Sequence, residues 1–294
     1  MKIHRVITST FAPLSFAASA FAQAPPPGLR TQTPATSGVT EVTTTGFQAV
    51  KPLAEDKDAS ALKLTFGGFL SQGNSRALAL TGSADYFLRR GSSQFSAVAA
   101  VNYGRSAAGR GEPYEVTVNN QQGRVRYDYF FAETPLAGFL NVSARRDRFQ
   151  GLDLRLNLDP GLAYYFVDEK DHRFWAELGY DLQYDIRNQD FIDAALITDM
   201  ALIDKTEARH NIRVFAGYDN QLSEAVKFDA GLEYLQNVKE TENARINFDA
   251  GLTSQLNQDF SVSVTFALKF DNNPLPGVEK TDIITALNLV YTMD

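Results

Sequence analysis

From residue 61 onward apolar and polar residues alternate. Phe174, Ala176, Leu178, Tyr180, Leu182 and Tyr184 occupy one parity, and Trp175, Glu177, Gly179, Asp181, Gln183 and Asp185 the other. A period of two belongs to a strand with one apolar face, not to a helix of period 3.6. The same grammar sets Val226, Phe228, Ala230, Leu232 and Tyr234 against Lys227, Asp229, Gly231 and Glu233, and Ile246, Phe248, Ala250 and Leu252 against Arg245, Asn247, Asp249 and Gly251. Near the end, Phe260, Val262, Val264, Phe266, Leu268 and Phe270 oppose Ser261, Ser263, Thr265, Ala267, Lys269 and Asp271. Charge returns again and again on the minor face.

The pattern predicts about twelve strands: 61–71, 75–89, 92–104, 115–132, 134–148, 153–167, 171–186, 207–219, 223–236, 242–256, 258–271 and 280–293. Each is long enough to cross a bilayer when tilted. Connections alternate in size. Arg90-Gly91, Ala132-Glu133-Thr134, Glu169-Lys170-Asp171, Asn220 to Ser223 and Asn257-Gln258 are tight, whereas Gly104 to Pro113, Arg187 to Thr206 and Asn272 to Glu279 are longer. Short turns on one side and longer loops on the other mark an outer-membrane barrel. A soluble sandwich also alternates, but it seldom sustains strands of about 12 residues one after another and keeps charge out of its shared core. Aromatics also gather before tight turns, at Tyr127, Tyr129 and Phe131 and at Tyr164 and Phe166, as an interfacial girdle requires. The expected fold is all-β: a transmembrane antiparallel up-and-down β-barrel over 61–294.

The first 60 residues follow another logic. Lys2 and Arg5 precede a mostly apolar run from Val6 to Ala18, and Ala20-Phe21-Ala22 before Gln23 fits a small-x-small cleavage site, so 1–22 reads as a signal peptide. Residues 23–60 carry Pro25-Pro26-Pro27-Gly28, Pro34 and Thr43-Thr44-Thr45 without a hydrophobic period, the composition of a disordered linker.

Composition narrows the chemistry. The 294 residues include no cysteine, which excludes disulfides, thiolate metal sites and thiol catalysis. Mean hydropathy is only −0.24, the average of a lipid-facing parity and a charged one. Losing Lys2 and Arg5 with the leader takes the formal net charge from −7 to −9, an unfavourable surface for nucleic acid. Of three histidines, His4 leaves with the leader, while His172 and His210 fall in different parts of the barrel. His210 could serve a barrel hydrolase, but no Gly-x-Ser-x-Gly context accompanies it. Asp190, Asp193, Asp199 and Asp204 lack the spacing of a tight calcium loop. We expect no enzyme, cofactor or metal.

The informative constellation is internal. With the apolar parity outward, Arg124, Arg126 and Asp128, Arg145 and Asp147, Arg155 and Asp159, and Glu177, Asp181 and Asp185 project into the lumen from four consecutive strands. Two readings stay open: a network of ion pairs that fills the interior, or a narrow polar pore whose arginine and carboxylate sides act on ions or small solutes. Strand number does not choose, because about eight strands are filled by side chains and about sixteen leave a channel. The segment Asp190 to Lys205, with Phe191, Ile192, Leu196, Ile197, Met200, Leu202 and Ile203, either extends a hairpin or folds over the mouth as a lid.

Gly73-Asn74-Ser75, the run Arg145-Arg146-Asp147-Arg148-Phe149-Gln150-Gly151-Leu152-Asp153-Leu154-Arg155, and Asn273-Pro274-Leu275-Pro276-Gly277-Val278-Glu279-Lys280-Thr281-Asp282 resemble the YdiY family, described as salt-induced outer-membrane proteins with a domain of unknown function. The resemblance spans about residue 62 to the C-terminus. It implies an outer-membrane barrel in a Gram-negative cell envelope with a role in osmotic or salt stress, and it brings no catalytic residue. Two departures are a longer 190–205 segment and the ending Tyr291-Thr292-Met293-Asp294 in place of a terminal aromatic. The expected partners are outer-membrane lipid, lipopolysaccharide and the barrel-assembly machinery, for a monomer that is porin-like or, alternatively, a structural or loop-mediated binding barrel with a closed lumen.

Overall fold

In the computed structural model the described residues are 58–71, 76–107, 112–148, 151–169, 171–199, 202–275 and 279–293. The expected signal peptide and all but the last three residues of the expected linker lie outside them. Twelve strands follow in order: β1 (Ala59–Ser71), β2 (Arg76–Arg90), β3 (Ser93–Ala107), β4 (Glu115–Phe130), β5 (Leu136–Asp147), β6 (Leu152–Asp168), β7 (His172–Arg187), β8 (Thr206–Gln221), β9 (Val226–Asn237), β10 (Ala244–Gln255), β11 (Phe260–Asp271) and β12 (Thr281–Met293). Each pairs antiparallel with its sequence neighbours, and β1 pairs with β12 to close the barrel. At the closing seam Leu62 to Phe66 run against Met293 to Leu289. The first strand begins at Ala59, two residues ahead of the expected barrel boundary.

The two parities separate as the pleat demands. Phe66, Leu178 and Leu287 stand outside at 60%, 62% and 67% exposure, while Thr65, Gln183 and Asn288 on the opposite parity are buried. Tyr129 meets Phe131 edge to face, Tyr164 lies 4.8 Å from Phe166, and Phe166 stacks on Phe174 at 5.2 Å. These rings lie on the outer wall beside the tight turns, where a girdle was expected. Closure gives each strand a hydrogen-bonded neighbour on both sides, with the shortest ladder at the β1–β12 seam.

One element departs from expectation. The connection between β7 and β8 holds a helix, α1 (Gln189–Asp199), where the sequence suggested a hairpin extension or a lid. Asn188 is its N-cap: its side-chain oxygen accepts from Phe191 N–H at 3.2 Å and its carbonyl from Ile192 N–H at 3.2 Å. Asn188 is tied back to the β5–β6 turn, since its own N–H donates to the Gly151 carbonyl at 2.7 Å and its amide donates to Asp153 at 2.9 Å. The Phe191 ring covers Gly151, which has φ +66° and where a Cβ would lie 2.5 Å from the ring. Any other residue there would meet both a left-handed backbone and a clash.

Candidate functional site

Toward the tight turns, the inner wall of β5 to β8 carries packed rings. Phe139 on β5, Tyr165 on β6, Trp175 on β7 and Phe215 on β8 form a buried cluster with Ala137 and Ala163, and Phe130 packs against it. Glycines on facing strands make room for the rings. Phe139 is the cross-strand partner of Gly161 and Trp175 that of Gly217. A Cβ on Gly161 would lie 2.4 Å from the Phe139 ring.

Above this cluster an ion-paired bar crosses the lumen. Arg126 on β4 holds Asp128 on its own strand at 2.7 Å and reaches Glu177 on β7 at 3.0 Å, passing over β5 and β6. Arg213 on β8 holds the other Glu177 oxygen at 2.7 Å and pairs with Glu233 on β9. Asn247 on β10 donates to Glu233 at 2.8 Å, and Trp175 Nε1–H donates to Glu177 at 3.3 Å. The Arg126 guanidinium also lies 4.0 Å from the centre of the Phe139 ring, a cation–π contact with the cluster below. Desolvating these charges is costly, and reciprocal pairing with several hydrogen bonds per carboxylate offsets it. The bar therefore acts as a unit.

On the loop side the lumen opens into a cavity of about 200 Å³. Arg155 donates to both Asp185 oxygens at 2.7 Å. Asp181 accepts from Asn157 and Asn211, each at 2.6 Å, and has Arg245 of β10 at 3.8 Å. Asp159 accepts from Asn141 at 2.6 Å, and Arg145 pairs with Asp147 at 2.7 Å. Glu207 serves two cations, Arg187 and Arg209. Nine cationic and six carboxylate side chains line the cavity, which is bordered at its outer end by 273–275 with Glu279 and Lys280.

All ten lumen residues named from sequence sit on the inner wall. Arg126, Asp128 and Glu177 meet in the bar, while Arg124, Arg145, Arg155, Asp159, Asp181 and Asp185 line the cavity. Asp147 binds Arg145. Arg155 pairs across to Asp185, not with Asp159 of its own strand, because neighbouring strands bring those two side chains face to face. The partners missed were Arg213, Glu233, Arg209 and Arg245, on β8 to β10. Their signal was the same inward parity, carried past β7. Equally, Phe139 and Phe215 sat on the polar parity as unremarked aromatics.

The lid expectation is corrected as well, since none of the described residues of 188–205 lines the cavity; α1 is held on the β5–β6 turn instead. His210 is on the outward parity, bonded to Tyr180 of the next strand, and His172 packs edge-on against Tyr218 at 5.3 Å. Among the described residues no group of three or more His, Asp or Glu is arranged to hold a metal ion.

Solved structures with a similar fold include a NanC porin (11% identity, TM-score 0.46, covering 79% of this chain and 97% of that one). An outer membrane channel from Pseudomonas putida F1 (12%, 0.45, 83% and 99%) and the translocator domain of the autotransporter NalP from Neisseria meningitidis (12%, 0.41, 80% and 87%) are also similar. No curated protein matches the chain in sequence. The family described as "protein of unknown function, DUF481" matches residues 64–293, which is nearly the whole barrel. The chain belongs to the DUF481 family.

Proposed function

We propose that the protein is exported, embeds as a monomeric barrel in the outer membrane of a Gram-negative envelope, and provides a narrow, charge-lined passage for ions and small solutes. The observation that carries this reading is the inverted polarity of the wall. Aliphatic and aromatic side chains cover much of the outside, while Arg126, Asp159, Glu177, Asp185, Arg213 and Glu233 are among the charged side chains buried on the opposite parity. In water such an exterior would aggregate; in a bilayer it is solvated by lipid. The cavity reaches the bar at Arg213 and Glu233, so a solute passing on must pass what that bar admits. The YdiY resemblance supports a role in envelope integrity under osmotic or salt stress, with lipid and lipopolysaccharide outside and the assembly machinery acting during biogenesis.

A second reading, a closed barrel serving structure or binding through its loops, is favoured by one observation: Phe215 and the Glu177 side chain have no exposed surface. Planar-bilayer recordings on purified, folded protein separate the two. Small conductance steps that enlarge in Glu177→Ala support the passage. Silence in both proteins overturns it and leaves the closed barrel.

A further inference from the structure

Seven arginines and six carboxylates line the loop-side cavity, and Asp147, Glu177 and Glu207 beyond its wall also pair with its arginines, so what sets the cavity apart is where a guanidinium is left with an unfilled donor. Asp185 is engaged bidentately by Arg155, and Glu233 is engaged by Arg213 and Asn247. Asp181 accepts from the neutral amides of Asn157 and Asn211, one on each oxygen, and keeps its charge facing Arg245 without a hydrogen bond to it. Glu207 is divided between Arg187 and Arg209.

Arg245 is left in the weakest position. It comes no nearer to Asp181 than 3.8 Å, and its buried Nη2 donates no hydrogen bond. Its charged neighbours include the guanidinium groups of Arg155 and Arg209, as well as Asp181 and Asp271. Arg155, Arg209 and Arg245 come from β6, β8 and β10, alternate strands whose inward side chains converge on one space.

Like charges held together in a confined space of reduced dielectric repel strongly, and a guanidinium whose donors are unfilled loses the solvation it had in water. Aliphatic side chains could have filled this volume without either cost. An anion entering from the loop side would relieve both at once. Guanidinium groups present planar, paired donors that match the oxygens of carboxylates and phosphates.

We propose that the cavity around Arg155, Arg209 and Arg245 is a binding site for a small multivalent oxyanion, of the size of inorganic phosphate or a compact di- or tricarboxylate, entered from the loop side past Lys280. The proposal deepens the reading of the lumen as a polar passage by naming the charge class of its solute. It requires only that the cavity be reachable from the loop side, not that the bar opens.

Isothermal titration of the detergent-folded barrel with inorganic phosphate, citrate and, as the cationic control, spermidine tests it. Phosphate or citrate should bind saturably at one site, weaken as sodium chloride is raised, and bind at least tenfold more weakly to Arg245→Gln. Lys280→Gln, at the mouth and outside the internal pairs, should weaken binding less, and it supplies the comparison if Arg245→Gln does not fold. The site is overturned if neither anion gives saturable heat at millimolar concentration. It is overturned equally if spermidine binds as tightly as the anions, or if the folded variants bind as the parent does. Because the readout is equilibrium binding, a barrel that is silent in bilayers yet binds citrate loses the passage and keeps the site.

Discussion

Trp175 lies flat against the backbone of Gly217, its cross-strand partner: a Cβ on that glycine would sit 2.3 Å from indole Cζ2. The ring fills the space a side chain would take, so β7 and β8 place one large and one absent side chain side by side on the inner wall. Replacing Gly217 with alanine must move the indole or bend the strand. Overpacking of this kind costs about 1–3 kcal/mol. The chain has a single tryptophan, so its fluorescence reports the site alone. Gly217→Ala is expected to shift the emission and lower the urea midpoint of the folded barrel. An unchanged spectrum would contradict the packing.

Glu177 joins the two arginines of the cross-lumen bar, and removing its carboxylate leaves both buried without their shared partner. Breaking a buried pair from one side costs about 3–5 kcal/mol. Glu177→Ala should therefore lower stability measurably in urea titrations followed by heat-modifiable gel mobility. Asp153→Ala removes an exposed contact with Lys205 and the hydrogen bond from the Asn188 amide, and should cost about 1 kcal/mol, well below Glu177→Ala.

Gly151 anchors α1 through its φ of +66° and its contact with Phe191. Gly151→Ala is expected to release the helix while leaving the barrel intact. Limited trypsin digestion should then cut at Arg187 or Lys205 faster than in the parent, with the heat-modifiable shift retained. Equal digestion rates would separate the helix from the turn.

Leu178 is 62% exposed in the middle of β7 and Leu202 is 91% exposed in the connection to β8. Arginine at a lipid-facing midplane position costs about 2–4 kcal/mol, and outside the bilayer the same substitution costs little. Folding into lipid vesicles should therefore be weakened by Leu178→Arg and not by Leu202→Arg. If the two behave alike, Leu178 does not face lipid.

Much of the barrel was legible along the chain because strand periodicity is local. The parity of Phe174 to Asp185 separates wall from lumen without knowledge of any other strand, and the tight turns mark where each hairpin reverses. The helix α1 was less legible, because the apolar residues of 191–203 have no period of two and the cap at Asn188 is a single residue. The inner charges of β4 to β7 were readable one strand at a time. Arg213, Glu233 and Arg245 carried the same signal but were not joined to that network.

Sequence by itself determined the number of strands, which face of each meets the outside, and that charge would be internal, since all three follow from a two-residue repeat and a count of turns. Only the tertiary structure decided who meets whom. Arg126 and Glu177 lie 51 residues apart, and their contact depends on closure and on the tilt that carries β4 across from β7. The same closure sets an aromatic cluster toward the tight turns and an arginine-rich cavity toward the loops. Aromatic rings lie where facing glycines make room, while side chains of alternate strands converge where no ring fills the space.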